Sequence, residues 1–315
     1  MPDIRPPIRH LPAPASLGER VKRLRFTLAR RAVQLSVLAL FIGTAHLGWR
    51  LFGKPLLAGD LSASRLADVV PLADPFALLQ KLFALQWPEM PLIVGALLVL
   101  LFYWIAGGRS FCAWVCPMNM VTDAADWLRV KFGLKTDWLR LNHRVRYGVA
   151  AGCLAASAVT GTAAFEWASP QAVLWRAAVW GVSFGGLAVV FGIFALDLLM
   201  VRRGWCGHLC PLGAFWSVVG RTSPLKVTFD DARCSHCGDC AVVCPEPQVI
   251  NLKTMAEKGC VTGAECTLCG RCLTVCPEDA LHIGLRSRRP IPLHPEPHSN
   301  VSKAVTGDSK STTPA

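Results

Sequence analysis

Two cysteine runs of identical spacing constrain this 315-residue chain more than any other feature. Cys234-Ser-His-Cys237-Gly-Asp-Cys240-Ala-Val-Val-Cys244-Pro245 and Cys266-Thr-Leu-Cys269-Gly-Arg-Cys272-Leu-Thr-Val-Cys276-Pro277 both read C-x2-C-x2-C-x3-C-P. Three thiolates at that spacing wrap one face of a cubane. The fourth, a turn later and before a helix-breaking proline, points across to a second cubane. The pattern predicts two [4Fe-4S] clusters, one on Cys234, Cys237, Cys240 and Cys276, the other on Cys266, Cys269, Cys272 and Cys244. A zinc site needs only four tetrahedral ligands and leaves the repeated C-P endings unexplained, and a reducing compartment disfavours disulfides.

Small residues follow the second cysteine of each run, and Gly238 and Gly270 let backbone N–H groups approach cluster sulfides. Val242, Val243, Val249, Ile250, Leu273 and Val275 are apolar neighbours that keep water away. Short strands near Lys226–Phe229 and Leu281–Ile283 complete an α+β ferredoxin-like unit over 223–286. Cys260 is left over and reads as an inert buried thiol. Two clusters alone conduct single electrons, so donor and acceptor must be found elsewhere.

The rest of the chain is apolar: 52% of all residues are hydrophobic and 17% charged, against about 25% charged in soluble globules. Four apolar stretches, at 32–52, 91–107, 145–167 and 179–201, each approach the length of about 20 residues that crosses a bilayer. They predict an α-helical integral membrane domain of four transmembrane helices over 32–222. A basic tail over 1–31 precedes it, and a polar, disordered tail over 287–315 follows the clusters. Arg5, Arg9, Arg20, Lys22, Arg23, Arg25, Arg30 and Arg31 precede the first stretch. Arg109, Arg129, Lys131, Lys135, Arg140, Arg144 and Arg146 lie between the second and third. The other two connections carry only Lys54, Arg65, Lys81 and Arg176. Basic loops stay inside, so both termini and the clusters are expected on the cytoplasmic face of the inner (plasma) membrane. The net charge of +12 is then topological, and nucleic acid is not an expected partner. Trp49, Trp87, Trp167 and Trp175 fall at the outer helix ends and Trp104, Trp114, Trp205 and Trp216 near the inner ones, as an aromatic belt would.

A second cysteine pattern occurs twice. Gly108-Arg-Ser-Phe-Cys112-Ala-Trp-Val-Cys116-Pro117 follows the second stretch, and Arg203-Gly-Trp-Cys206-Gly-His-Leu-Cys210-Pro211 follows the fourth. Arg109 aligns with Arg203, an aromatic precedes each first cysteine, and both continue C-x3-C-P. The membrane domain therefore reads as an internal duplication with both motifs at its cytoplasmic edge. Spacing of four sets the two sulfurs of a pair on one helical face. A two-fold arrangement could bring all four together, and Cys112, Cys116, Cys206 and Cys210 are then either buried packing thiols or a metal, cluster or redox-thiol motif that His208 assists. Cys153 reads as a small apolar residue. Among the few polar residues of the spans, His46 and Glu166 lie toward the outer side as quinol candidates, and Asp197 is expected to pair with Arg202 or Arg203.

The combination of apolar stretches, two membrane-edge C-x3-C-P motifs and the C-terminal cluster runs resembles the NapH/MauN family of ferredoxin-type membrane proteins, over about residues 25–285. The run Cys244-Pro-Glu-Pro-Gln-Val-Ile250 is most similar to the NapH branch. The resemblance implies a quinol dehydrogenase component rather than a stand-alone catalyst. Such a component draws electrons from the membrane quinol pool and passes them, with a NapG-like iron-sulfur partner, toward a periplasmic reductase of the nitrate type. The alternative is a redox or metal maturation protein, MauN-like or cytochrome-oxidase assembly-like, that works through the C-x3-C-P thiols.

Overall fold

A computed structural model describes residues 16–60, 62–134, 138–139, 141–181 and 184–286. The expected polar tail over 287–315 and the chain before Ser16 lie outside them. The first helix, Leu17–His46, is 30 residues long. It starts well before the apolar stretch because Ser16 caps it, its side chain accepting from the Glu19 N–H at 3.2 Å, and because the Leu, Arg and Lys that follow are good helix formers. The second half of the expected basic tail is therefore helical. Mid-helix, Arg30 and Gln34 are fully buried, and Gln34 donates to the carbonyls of Ala113 and Cys116 at 3.1 and 3.2 Å. The long helix is thereby fastened to the first C-x3-C-P motif.

An antiparallel three-stranded sheet, Leu57–Gly59, Ala63–Leu66 and Val70–Ala73 in that order, follows. Helix Pro75–Phe83 comes next, its first turn capped by Asp74 through the Phe76 N–H at 2.9 Å. The remaining apolar helices are shorter than expected. Met90–Ile105 and Val145–Thr160 have 16 residues each, about 24 Å at 1.5 Å per residue against a hydrocarbon core of about 30 Å. The third stretch breaks at Gly161, whose φ of 66° closes the helix in a left-handed cap, and resumes as Ala164–Ala168, while a further helix, Pro170–Trp180, occupies the connection to the fourth. The fourth runs as Phe184–Ala195 into the π-helical turn Leu196–Met200. Among the described residues one helix, Leu17–His46, is long and apolar enough to cross a membrane, not four. The aromatic belt also needs correcting: Trp87 and Trp167 are exposed, but Trp175 and Trp216 are core residues. Trp175 packs edge-on against Phe41, and Trp216 sits among Phe76, Phe165 and Leu212.

The C-terminal unit forms as its pattern predicts. Strand Leu225–Phe229 pairs antiparallel with Leu281–Leu285, Val227 opposite Ile283. Helices Asp239–Val243, Leu252–Lys258 and Arg271–Val275 pack on a core of Val227, Phe229, Val249, Met255, Val261 and Leu281. Cys260 is buried and pairs by backbone with Thr228, consistent with an inert thiol. This unit is docked on the helical part, not tethered to it. Phe26 of the long helix packs against its core, and Trp114 donates to the Leu268 carbonyl at 3.1 Å. A Cβ on Gly108 would stand 2.3 Å from the Gly220 Cα, so that junction admits only glycine.

Candidate iron-sulfur centres

Each cluster run bends the same way. Gly238 and Gly270 hold φ of 81° and 74° immediately before helices Asp239–Val243 and Arg271–Val275, a left-handed conformation suited to glycine. Each short helix then ends at the cysteine preceding proline. Helices Asp239–Val243 and Arg271–Val275 lie against each other, which carries each fourth cysteine across to the other run. Cys234 and Cys240 feel the charge of Cys237 and Cys276, whereas Cys244 feels that of Cys269 and Cys266. Cys272 feels Cys240 as well as Cys244, Cys266 and Cys269, so the two runs abut. Cys244, Cys266, Cys269 and Cys272 line one small cavity of about 20 Å³. Backbone N–H groups already point at sulfur, from His236 to Cys234 and from Ala280 to Cys276, both at 3.3 Å. Such bonds stabilise thiolate and tune cluster potential. Burial pushes the free thiols up, Cys240 and Cys266 to about 11. Among the described residues no three His, Cys, Asp or Glu converge tightly enough for a single metal ion.

The second cysteine pattern is also assembled. Cys112, Cys116, Cys206 and Cys210, from the two halves of the duplication, line a single small cavity of about 30 Å³. Both C-P cysteines sit at helix starts. Cys116 precedes Met118–Lys131, and Cys210 caps Pro211–Gly220, its sulfur accepting from the Gly213 N–H at 3.4 Å. The Cys116 thiol donates to Gln171 Oε1 at 3.7 Å. Burial raises all four thiols, Cys210 to about 12. His208 is not a neighbour of these thiols. It stacks on His143 with ring centroids 4.4 Å apart, outside the cavity lining.

Two buried carboxylates that the sequence reading passed over organise the junction. Glu246, two residues past Cys244, accepts from Arg109 Nη1 at 2.9 Å and from Arg146 Nη2 at 3.1 Å. Burial alone would raise it, but the two guanidiniums hold it down, at about 2. Arg109 further donates to the Glu265 carbonyl at 3.0 Å and the Cys206 carbonyl at 3.1 Å, and it bonds the Cys112 sulfur. Asp123 gathers Arg31, Arg203 and Arg271. Burial opposes its charge too, and those cations with Arg30 keep it well below the usual carboxylate range. The aligned pair Arg109 and Arg203 thus each end on a buried acid, Glu246 and Asp123. The repeat of the arginines was visible in the sequence; their acids carry no motif.

The polar candidates of the spans behave differently from one another. His46 donates to the Val179 carbonyl, and Glu166 accepts from the Ser62 hydroxyl. Neither side chain lines the thiol cavity. Asp197 does not pair with Arg202 or Arg203, which are taken by Asp126 and Asp123. Its Oδ1 accepts the Trp205 N–H at 2.9 Å instead, fixing the π-helical turn Trp205–Leu209 that carries Cys206. Cys153 packs partly buried beside the Phe76 and Trp216 cluster, as a small apolar residue would.

Comparison with known proteins agrees with this layout. A family model described as a 4Fe-4S binding domain matches twice, over residues 89–135 and 182–229, and a 4Fe-4S dicluster domain matches 224–280. The "Ferredoxin-type protein NapH" of Haemophilus influenzae is 41% identical over 227 residues, 72% of this chain and 77% of that protein. The "Methylamine utilization ferredoxin-type protein MauN" of Methylorubrum extorquens is 42% identical over 231 residues, 73% of this chain and 77% of its own length. The Escherichia coli "Ferredoxin-type protein NapH" is 40% identical over 235 residues, 74% and 79% of the two chains. No solved structure matches.

Proposed function

The chain belongs to the NapH/MauN ferredoxin-type family, and from that premise we propose a membrane-bound iron-sulfur electron-transfer subunit that takes electrons from the quinol pool and passes them toward a periplasmic reductase. The observation that carries the reading is the pair of C-x2-C-x2-C-x3-C-P runs within a dicluster domain, packed against each other through helices Asp239–Val243 and Arg271–Val275. Cys234, Cys237, Cys240 and Cys276 hold one [4Fe-4S] cluster; Cys266, Cys269, Cys272 and Cys244 hold the other. Each cluster supplies a one-electron carrier. The chain's own residues place it: the glycine turns aim N–H groups at sulfur, and the apolar core excludes water.

Membrane residence is supported by the long first helix and by what the shorter helices leave uncovered. Helix Met90–Ile105 buries only Gly95 and Ala96 and exposes Leu97, Leu101 and Phe102. Phe191 and Leu199 add to this surface. Exposed apolar side chains of that number call for lipid or a protein partner. The cation distribution supports a cytoplasmic side for the clusters, and a NapG-like iron-sulfur partner with the reductase system stands downstream, across the membrane. Proximity of Glu166 to Ser62 and of His46 to the Val179 carbonyl leaves both as proton-handling candidates on the outer side. The test is quinol-driven electron flow to a periplasmic reductase in membranes that contain the chain and its iron-sulfur partner. Flow that depends on Cys244 and Cys276 supports the reading, and flow unchanged on substituting both with Ser contradicts it.

A further inference from the structure

We propose that Cys112, Cys116, Cys206 and Cys210 together hold a third [4Fe-4S] cluster, shared between the two halves of the duplication and seated beside the cluster on Cys244, Cys266, Cys269 and Cys272. The proposal deepens the electron-transfer reading above and rests on it for its purpose, not for its geometry. Each of the two matches to the 4Fe-4S binding domain contains only two cysteines, Cys112 and Cys116 in one and Cys206 and Cys210 in the other. A cubane takes four. Neither half can hold one alone, and the fold brings both halves to one cavity.

The dicluster domain calibrates the size of that cavity. Four cysteines in the predicted crossed set line a cavity of about 20 Å³, and the four C-x3-C-P cysteines line one of about 30 Å³. Neither set closes on a point as a lone metal ion requires, and all four thiols are free of disulfides. The local chemistry is also repeated. In both places a cysteine before proline ends one turn, and backbone N–H groups reach sulfur, here from Gly213 to Cys210 at 3.4 Å. Binding as thiolates releases four protons and leaves a net negative centre. Buried Arg109, bonded to Cys112, and the starts of helices Met118–Lys131 and Pro211–Gly220 offset that charge. Arg109 also fixes the neighbourhood. Its guanidinium bonds the carbonyl of Cys206 in one site and that of Glu265, adjacent to Cys266, in the other. The third cluster thereby stands between the membrane helices and the ferredoxin pair.

Iron and acid-labile sulfide in the anaerobically purified full-length chain decide the matter, read with electron paramagnetic resonance. The expected content is about twelve irons per chain, at four per cluster. The Cys116→Ser, Cys210→Ser double variant is expected to hold about eight, with the resonances of the ferredoxin clusters retained. The Cys244→Ser, Cys276→Ser double variant, which disables the other two sites, is expected to keep about four; that arm holds even if the electron-transfer reading fails. About eight irons in the unmodified chain, or one zinc per chain beside them, overturns the proposal. The unmodified count decides alone if a variant fails to accumulate.

Discussion

Asp123 is the acceptor on which three arginines from three distant parts of the chain meet: Arg31 from the long helix, Arg203 from the second C-x3-C-P motif and Arg271 from inside the second cluster run. Removing one partner of a buried charge cluster strands the others. Asp123→Asn is therefore expected to cost about 3–5 kcal/mol, read as a lowered denaturation midpoint in detergent; an unchanged midpoint would reduce the cluster to a surface pairing. The pH dependence has a definite sign. Asp123 is depressed below its ordinary value of 3.8, so its contribution is complete above that value and is lost as the pH falls through the lowered one. Asp123→Asn should therefore flatten the acid limb of the stability profile and leave the neutral plateau lower. Neither Asp123 nor Glu246 could be picked from the sequence, where each is one acid among many. Arg109 and Arg203 could, because they recur at matched positions in the two motifs.

At the scale of elements, what could be read ahead was whatever has a fixed spacing. The cluster runs, their glycine turns and the strand pair Leu225–Phe229 with Leu281–Leu285 follow from short-range pattern, and all form. Helix bounds did not follow from apolar length. The first helix extends back to Leu17 through charged residues because a cap and helix-forming side chains outweigh polarity there. The third stops at Gly161 although apolar residues continue. Apolar composition reports which surface avoids water, not where hydrogen bonding ends. The crossed connectivity makes a prediction at this scale. Cys244→Ser is expected to perturb the cluster that Cys266, Cys269 and Cys272 hold, and to leave the one on its own run largely unaltered. Resonance spectra of the variant decide: loss of the signal assigned to Cys234, Cys237 and Cys240 instead would mean that the fourth ligand is local.

Over the whole molecule, one docked assembly places every cysteine motif at the junction between the helical part and the ferredoxin-like unit. Gln34 ties the long helix to the first C-x3-C-P motif, Arg109 ties that motif to Glu246 and Glu265, and Arg271 ties the second run to Asp123. Family membership and the cluster domains were legible from the motifs and their order. The duplication itself suggested that a two-fold arrangement could bring the four C-x3-C-P thiols together, and one cavity lined by all four bears this out. The central claim is that quinol reduces these clusters. Oxidised membranes containing the chain, mixed anaerobically with a quinol analogue, are predicted to develop the resonance of reduced [4Fe-4S] centres. Clusters that stay oxidised under quinol, yet reduce fully with dithionite, would contradict it.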